Sequence, residues 1–474
     1  MGRSLPLTVT DAAARLRAGE TTSVELTSAF LARADRLDPK IGTYVTRFDD
    51  LALAAATVAD ECFAKGIDRG PLQGIPVGVK DILAMRAGPT TANSLVLDPS
   101  WGAGKQAPVV ERLLTSGAVI TGKTTTYEFA IGPPDGSKPF AIARNPWHLP
   151  LSTGGSSAGT ANGIAAGLFL AGIGTDTGGS IRGPAAWNGI TGFKPTYGRV
   201  PKSGCVPLAY SLDHIGPMAR SARDCAAVLL VIAGHDPSDE SSVDRPVDNY
   251  LRLPTGDLDG IRIGVVREHH FPDDADPALV SCFDAALDRL TDLGAQLVEV
   301  RLPWFEEVCT ALWVTVGSEA LAYHLQDLRT HWNDYNVITR INIARGALSS
   351  GADYVQAGRV RRMAQRQLAK LFAQVDLIAT PTSAIGAPTH EEVTQPRVER
   401  SFKTVFTGYW DAVGNPAIAL PMGATAEGLP LSLQFAGRPF EDALVLRAGE
   451  AYQSVTDWHL RIPELLAELL AAEP

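Results

Sequence analysis

Three stretches of this chain carry residue types suited to moving protons and attacking carbonyl groups. The first is Gly74-Ile-Pro-Val-Gly-Val-Lys80-Asp81, an apolar run that closes on a lysine. A lysine at the end of an apolar strand is desolvated, and desolvation disfavours its ammonium form. The neutral amine that results is a general base near neutral pH. The second stretch is Ser152-Thr-Gly-Gly-Ser156-Ser157-Ala-Gly159, a turn crowded with hydroxyls and glycines. The third is Gly174-Thr-Asp176-Thr177-Gly178-Gly179-Ser180-Ile-Arg182-Gly-Pro184. Its glycines let successive backbone N–H groups converge on one point, which makes an anion-binding nest. A serine in that nest can attack a carbonyl while the N–H groups hold the oxyanion that forms. Each stretch alone has a plain structural reading, as a strand end or a loop. In this order and spacing they point together to acyl transfer.

Other patterns in the chain point elsewhere and fail on physical grounds. Gly117-Ala-Val-Ile-Thr-Gly122-Lys123-Thr124 matches the nucleotide-binding G-x-x-x-x-G-K-[ST]. That motif needs a flexible cradle, whereas Ala118 to Thr121 reads as a strand that Lys123 closes. Gly155-Ser-Ser157-Ala-Gly159 matches the nucleophile elbow G-x-S-x-G. The elbow must follow a buried strand directly, but Asn145 to Thr153 holds two prolines and no β-branched run. Ser211, Asp213 and His214 are too close together in one loop for a Ser–His–Asp triad. His214 therefore reads as structural or pocket-lining. Asp176 and Arg182 flank the proposed nucleophile and read as an ion pair that shapes its loop.

The elements that must position these residues follow from patterning. Thr22 and Glu25 have capping-box spacing, and Leu26, Phe30 and Ala34 follow at helical intervals. From Gly66 onward, short apolar runs bounded by Gly and Pro alternate with helical stretches. The runs are Gly74 to Val79, Ala118 to Thr121, Gly260 to Val266, Leu377 to Ala379 and Ala417 to Leu420. The helical stretches include Pro108 to Ser116, Ala278 to Leu293 and Gln356 to Ala373. Such alternation predicts α/β layers around a largely buried sheet. Pro237 to Pro254 reads as a surface connection.

Composition removes several classes of function. The chain has 474 residues, 45% hydrophobic and 20% charged, with a net charge of −10. It is too apolar for a disordered tail, and its few basic clusters argue against nucleic acid. The densest, Arg359 to Arg366, reads as a solvated helix face. The five cysteines are scattered without a C-x-x-C, which argues against a disulfide framework or zinc site and predicts a reducing, cytoplasmic setting. No secretory signal or membrane span is evident.

The motifs resemble those of the amidase signature family. The resemblance runs from about Ala12 to about Pro463 and is densest from Gly74 to Arg199. It includes G-G-S-S-A-G, G-T-D-T-G-G-S-I-R, the false P-loop followed by Glu128-Phe129-Ala130, and Gly192-Phe-Lys-Pro-Thr-Tyr-Gly198-Arg199. It implies an α/β fold in one large domain (1–474), with a central mixed sheet of about ten or more strands covered by helices on both faces. Within it, 1–65 would form N-terminal helices, 66–220 the signature core, and 221–474 the remaining sheet, helices and variable pocket segments. It also implies a Ser–Ser–Lys triad without cofactor or metal. Ser180 matches the nucleophile, Lys80 the base, and Ser156 the bridging serine on a cis peptide after Gly155. The backbone N–H groups of Thr177, Gly178, Gly179 and Ser180 match the oxyanion hole. Ser157, Asp176 and Arg182 are expected to support them.

The substrate is less legible. Phe129, Ala130, Ile131, Thr153, Tyr210 and Trp410 are candidate pocket residues, and the aromatics of 304–332 and 408–410 suggest an apolar or aryl amide or carbamate. The rival within the family is a glutamine-dependent amidotransferase subunit that passes ammonia to a partner. That subunit usually has an acidic residue three positions before the threonine of a stretch like Val405-Phe-Thr407. Thr404 stands there, and Tyr409 to Pro416 departs from the family's P-x-N-L-A-G-L-P. The expectation is a small-molecule hydrolase, monomeric or homodimeric, with no nucleic-acid or membrane partner.

Overall fold

The computed structural model describes residues 7–252, 256–394 and 404–471. Its centre is a mixed sheet of eleven strands. In chain order the strands are β1 (Tyr44–Arg47), β2 (Pro76–Lys80), β3 (Val119–Thr124), β4 (Ala171–Asp176), β5 (Thr191–Lys194), β6 (His214–Ala219), β7 (Arg262–Val265), β8 (Gln296–Glu299), β9 (Leu377–Pro381), β10 (Ala417–Ala424) and β11 (Pro430–Ala436). Their order across the sheet is β1-β3-β2-β4-β6-β5-β10-β11-β9-β7-β8. β2 runs parallel to both β3 and β4, and β7 runs parallel to β8 and β9. The other pairings are antiparallel.

Helices cover both faces. Val77, Val79 and Ile173 point into a core shared with Ala222–Ile232, Leu279–Asp292 and Asp442–Ser454. On the other face the helix Ala158–Ala165 lies close to the sheet. Small residues permit this: a Cβ on Gly172 would stand 2.6 Å from Thr160 Cγ2. Two long helices, Phe305–Thr330 and Gly351–Leu371, pack on each other and organise a second core around Phe129, Leu312, Tyr409 and Trp410.

The capping box of Ser23–Ile41 forms as its spacing predicts: Thr22 Oγ1 accepts the Glu25 N–H, and the Glu25 carboxylate accepts the Thr22 N–H. The five apolar runs are all strands, and the three helical stretches are helices. Residues 237–252 contain no helix or strand, and 253–255 lie outside the described residues. The Arg359 to Arg366 reading is corrected at one position. Arg361 is half-buried, and its guanidinium donates to Ala412 O at 2.8 Å and to Ser211 O at 3.1 Å. The solvated-face reading missed it because the partners come from distant segments. Among the described residues, no helix is long and apolar enough to cross a membrane.

Candidate active site

Lys80 closes β2 and is fully buried. Val79 beside it points into the core, so alternation sends Lys80 to the opposite face, toward the Ser152–Gly159 turn. Its Nζ lies 2.6 Å from Ser156 Oγ, 2.7 Å from Thr175 Oγ1 and 3.1 Å from Ser157 Oγ. Burial pushes the amine down to about 7, against smaller opposing effects from Cys205, Asp176 and Asp213. Among the described residues no carboxylate touches it, so the neutral form is accessible near neutral pH.

The serine turn is held rigidly. The Gly155–Ser156 peptide is cis. The Ser156 carbonyl accepts the Tyr127 N–H at 3.1 Å and the Thr126 hydroxyl at 3.0 Å. Ser157 Oγ accepts the Thr175 N–H at 3.2 Å, which ties the turn to β4. The Ser157 N–H donates to the Ser180 carbonyl at 3.2 Å, so the two serine-bearing turns meet.

The third stretch leaves β4 at Asp176 and turns into the short helix Arg182–Asn188. Gly179 has φ +129°, and a Cβ there would collide with Thr407 Oγ1. Only glycine suits both conditions. The Gly179 N–H donates to Asp176 Oδ1 at 2.5 Å. Among the described residues, the N–H groups of Thr177, Gly178 and Ser180 donate to no protein acceptor. The nest therefore offers Thr177, Gly178 and Ser180, while Gly179 is engaged in shaping the turn. Ser180 is half-buried, unlike the fully buried Ser156 and Lys80.

The turn rests on a buried charge cluster. Arg182 Nε lies 2.9 Å from Asp176 Oδ2, and Arg182 Nη2 lies 2.6 Å from Asp411 Oδ2. Arg182 Nη1 donates to Thr407 O at 3.0 Å and to Gln434 Oε1 at 2.8 Å. Burial alone would raise Asp176, but the Arg182 charge and hydrogen bonds outweigh it and hold the carboxyl well below the usual range. Asp411 and Gln434 had no signal in the sequence, because they come from segments far along the chain. His214 lies on β6, where burial and Lys194 keep its imidazole neutral. Its Nδ1 is 3.2 Å from Asp176 O, a supporting position.

The pocket candidates fall into distinct places. Phe129 and Ala130 occupy left-handed backbone at φ +48° and +62°, in a tight loop beside the serine turn, with Ile131 half-buried next to them. The Phe129 ring packs edge-on against His324 at 4.3 Å. Thr153 is buried, and its carbonyl accepts from Asn188 Nδ2 at 2.8 Å. Trp410 is 1% exposed and packs against Tyr409, whereas Tyr210 is 52% exposed and hydrogen-bonds Asp239. Sequence reasoning passed over Leu312 and included Trp313 only within a broad aromatic segment. A Cβ on Gly178 would touch both residues at 3.6 Å, so they face the Gly178–Ser180 turn. Lys123 of the false P-loop is buried against Asp81 at 2.8 Å, with no cradle around it. An open cleft of about 370 Å³ between Leu279–Asp292 and Asp442–Ser454, lined by Cys282, Met422, Tyr452 and Trp458, contains none of the residues named above.

This constellation sits on an eleven-stranded α/β sheet, and comparison with known proteins identifies the family. The chain belongs to the Amidase family, whose pattern matches residues 25–446. It is similar to a glutamyl-tRNA(Gln) amidotransferase subunit from Chloroflexus aggregans, at 41% identity over 97% of this chain and 98% of that protein. Among solved structures it is similar to one from a vestigial protein complex bearing on the origins of an s-triazine catabolic enzyme. That match has a TM-score of 0.87 and 30% identity, covering 94% of this chain and 98% of the other. It is also similar to the peptide amidase PAM in complex with the competitive inhibitor chymostatin, with a TM-score of 0.84 and 30% identity, covering 96% and 98%.

Proposed function

We propose that this chain hydrolyses the C–N bond of a small amide or carbamate through an acyl-enzyme on Ser180. Neutral Lys80 takes a proton from Ser156, and Ser156 takes one from Ser180 as its Oγ attacks the carbonyl. The N–H groups of Thr177, Gly178 and Ser180 hold the oxyanion. The same relay returns a proton to the departing amine as the C–N bond breaks. Water then cleaves the ester and restores Ser180. No step requires a cofactor. The observation that carries this reading is the buried Lys80 amine 2.6 Å from Ser156 Oγ, on a turn bonded to the Ser180 carbonyl.

For the substrate we favour an apolar or aryl acyl group. Leu312 and Trp313 face Gly178, and a Cβ on Gly408 would also meet Leu312. These side chains supply an apolar wall beside the nucleophile. We favour a small-molecule enzyme, monomeric or homodimeric, acting in the cytoplasm without nucleic acid or membrane.

A second reading, a glutamine-dependent subunit that passes ammonia to a partner, is favoured by the 41% identity to the Chloroflexus aggregans protein over nearly all of both chains. Thr404, in the place of an acidic residue, weighs against it. The test is a panel of apolar p-nitroanilides, aryl carbamates and glutamine given to the isolated chain. Turnover of anilide or carbamate with glutamine inert supports the first reading. Glutamine cleavage with the others inert supports the second. Inertness toward all three, or turnover that Ser180→Ala leaves unchanged, would overturn the hydrolytic reading.

A further inference from the structure

We propose that Asp213 is a positioning residue for the oxyanion hole, fixing Thr177 through its side chain so that its backbone N–H stays aimed at the developing oxyanion. The proposal rests on the acyl-transfer reading above. Thr177 Oγ1 donates to Asp213 Oδ1 at 2.6 Å, while the Thr177 N–H has no protein acceptor among the described residues. The side chain is thus the tether and the N–H is left available. Thr177 follows directly on the last residue of β4, where ladder hydrogen bonds no longer hold the backbone. A tether there limits rotation of the first N–H in the nest, and such preorganisation is what makes these donors effective.

Asp213 is itself fixed. Its Oδ2 accepts the Leu208 N–H at 3.0 Å, and the Ala209 N–H reaches Oδ1 at 3.1 Å. The loop wraps its own carboxylate, and the Asp213 N–H donates to Ala209 O at 2.8 Å. Two residues earlier, Ser211 is clamped by Glu319. The Ser211 N–H donates to Oε2 at 2.9 Å, and its Oγ donates to Oε1 at 2.6 Å. Arg361 donates to the Ser211 carbonyl at 3.1 Å. Glu319 belongs to Phe305–Thr330, the helix that also places Leu312 and Trp313 beside Gly178. One helix therefore holds the pocket wall and the support of Thr177 in fixed relation.

The test is steady-state kinetics on Thr177→Val, Thr177→Ser and Asp213→Asn, using whichever substrate of the panel the wild type turns over. Thr177→Val keeps shape but loses the tether, and Asp213 Oδ1 retains the Ala209 N–H, so the loop remains satisfied. We expect kcat to fall at least tenfold with KM within threefold, and Thr177→Ser to recover kcat to within threefold of wild type. Asp213→Asn places an amide donor or a weaker acceptor against three donors, and kcat falls comparably. The double variant falls no further than the worse single, because both changes cut one link. Wild-type kcat in Thr177→Val, or multiplicative losses in the double variant, overturns the proposal. Sulfonyl fluoride labelling of wild type and Ser180→Ala separates this from the reading beneath it. If Ser180 is not the labelled residue, the acyl-transfer reading fails. If it is labelled and Thr177→Val is unimpaired, only the Asp213 role fails.

Discussion

The Lys80 amine lies 2.6 Å from the Ser156 hydroxyl, and both side chains are buried while Ser180 is reachable from solvent. The arrangement separates tasks. In the proposed mechanism the desolvated amine is the base, and the Ser156 hydroxyl above it would relay protons outward to Ser180. Thr175 Oγ1 and Ser157 Oγ complete the base's contacts without neutralising a charge, so they orient the amine and leave its lowered proton affinity intact.

The pH dependence follows in sign from that burial. The amine is pushed down to about 7, so it is protonated below that pH and neutral above it. We expect kcat/KM to rise through an apparent pKa near 7, falling about tenfold per pH unit on the acid side. A rate profile from acid to alkaline pH checks this. Lys80→Ala is expected to be inactive at neutral pH, with partial activity at high pH where hydroxide assists. Wild-type turnover by Lys80→Ala at neutral pH contradicts the role.

The two serines differ in consequence. Under the proposed mechanism Ser180→Ala removes the nucleophile, and kcat is expected to fall about 10⁴-fold or more. Ser156→Ala leaves the nucleophile and nest but breaks the relay, and a loss of about 10²–10⁴-fold is expected, the range for a lost acid–base group. Thermal melting alongside the kinetics verifies that both variants fold.

The Asp176–Arg182–Asp411 cluster is a stability element as well as a support. Removing the guanidinium in Arg182→Ala leaves two carboxylates buried together. Breaking such a pair costs about 3–5 kcal/mol, read as a lower midpoint in urea unfolding. Arg182→Lys is not expected to rescue, because one ammonium cannot reproduce the forked contacts to both carboxylates and to Gln434 Oε1.

The apolar wall is tested by Trp313→Ala. With an apolar anilide, KM is expected to rise about tenfold while kcat changes little, since the contact is made equally in ground and transition states. An unchanged KM places the acyl group elsewhere.

The sequence made some of these features legible and hid others, for reasons that differ by element. β2 was readable because Ile75, Val77 and Val79 form an apolar run between Gly74 and Lys80. β4 was not, because Gly172 and Gly174 alternate with Ile173 and Thr175 and interrupt the apolar run. Its glycines serve close packing under Ala158–Ala165, a tertiary requirement. β11 was hidden in turn by the proline at its start, and β8 by being exposed along its length. At the site, Lys80, Ser156 and Ser180 were legible because short motifs keep each with its own glycines and neighbours. The approach of Asp411 and Thr407 to Arg182 and the nest, and the Asp213 tether, depend on contacts across the fold, whereas the engagement of Gly179 by Asp176 is a local turn contact that no motif announces. Tyr210 and Trp410 show the limit of residue type: both are aromatic, yet one is 52% exposed and the other 1%.

Acylation of Ser180 is measured most directly by acid quench during turnover of an apolar p-nitroanilide, followed by mass spectrometry of the peptide spanning residues 177–194. The account predicts an acyl mass on Ser180 that is absent in Ser180→Ala and that accumulates less in Lys80→Ala. An adduct on another residue, or turnover by Ser180→Ala at the wild-type rate, would contradict it.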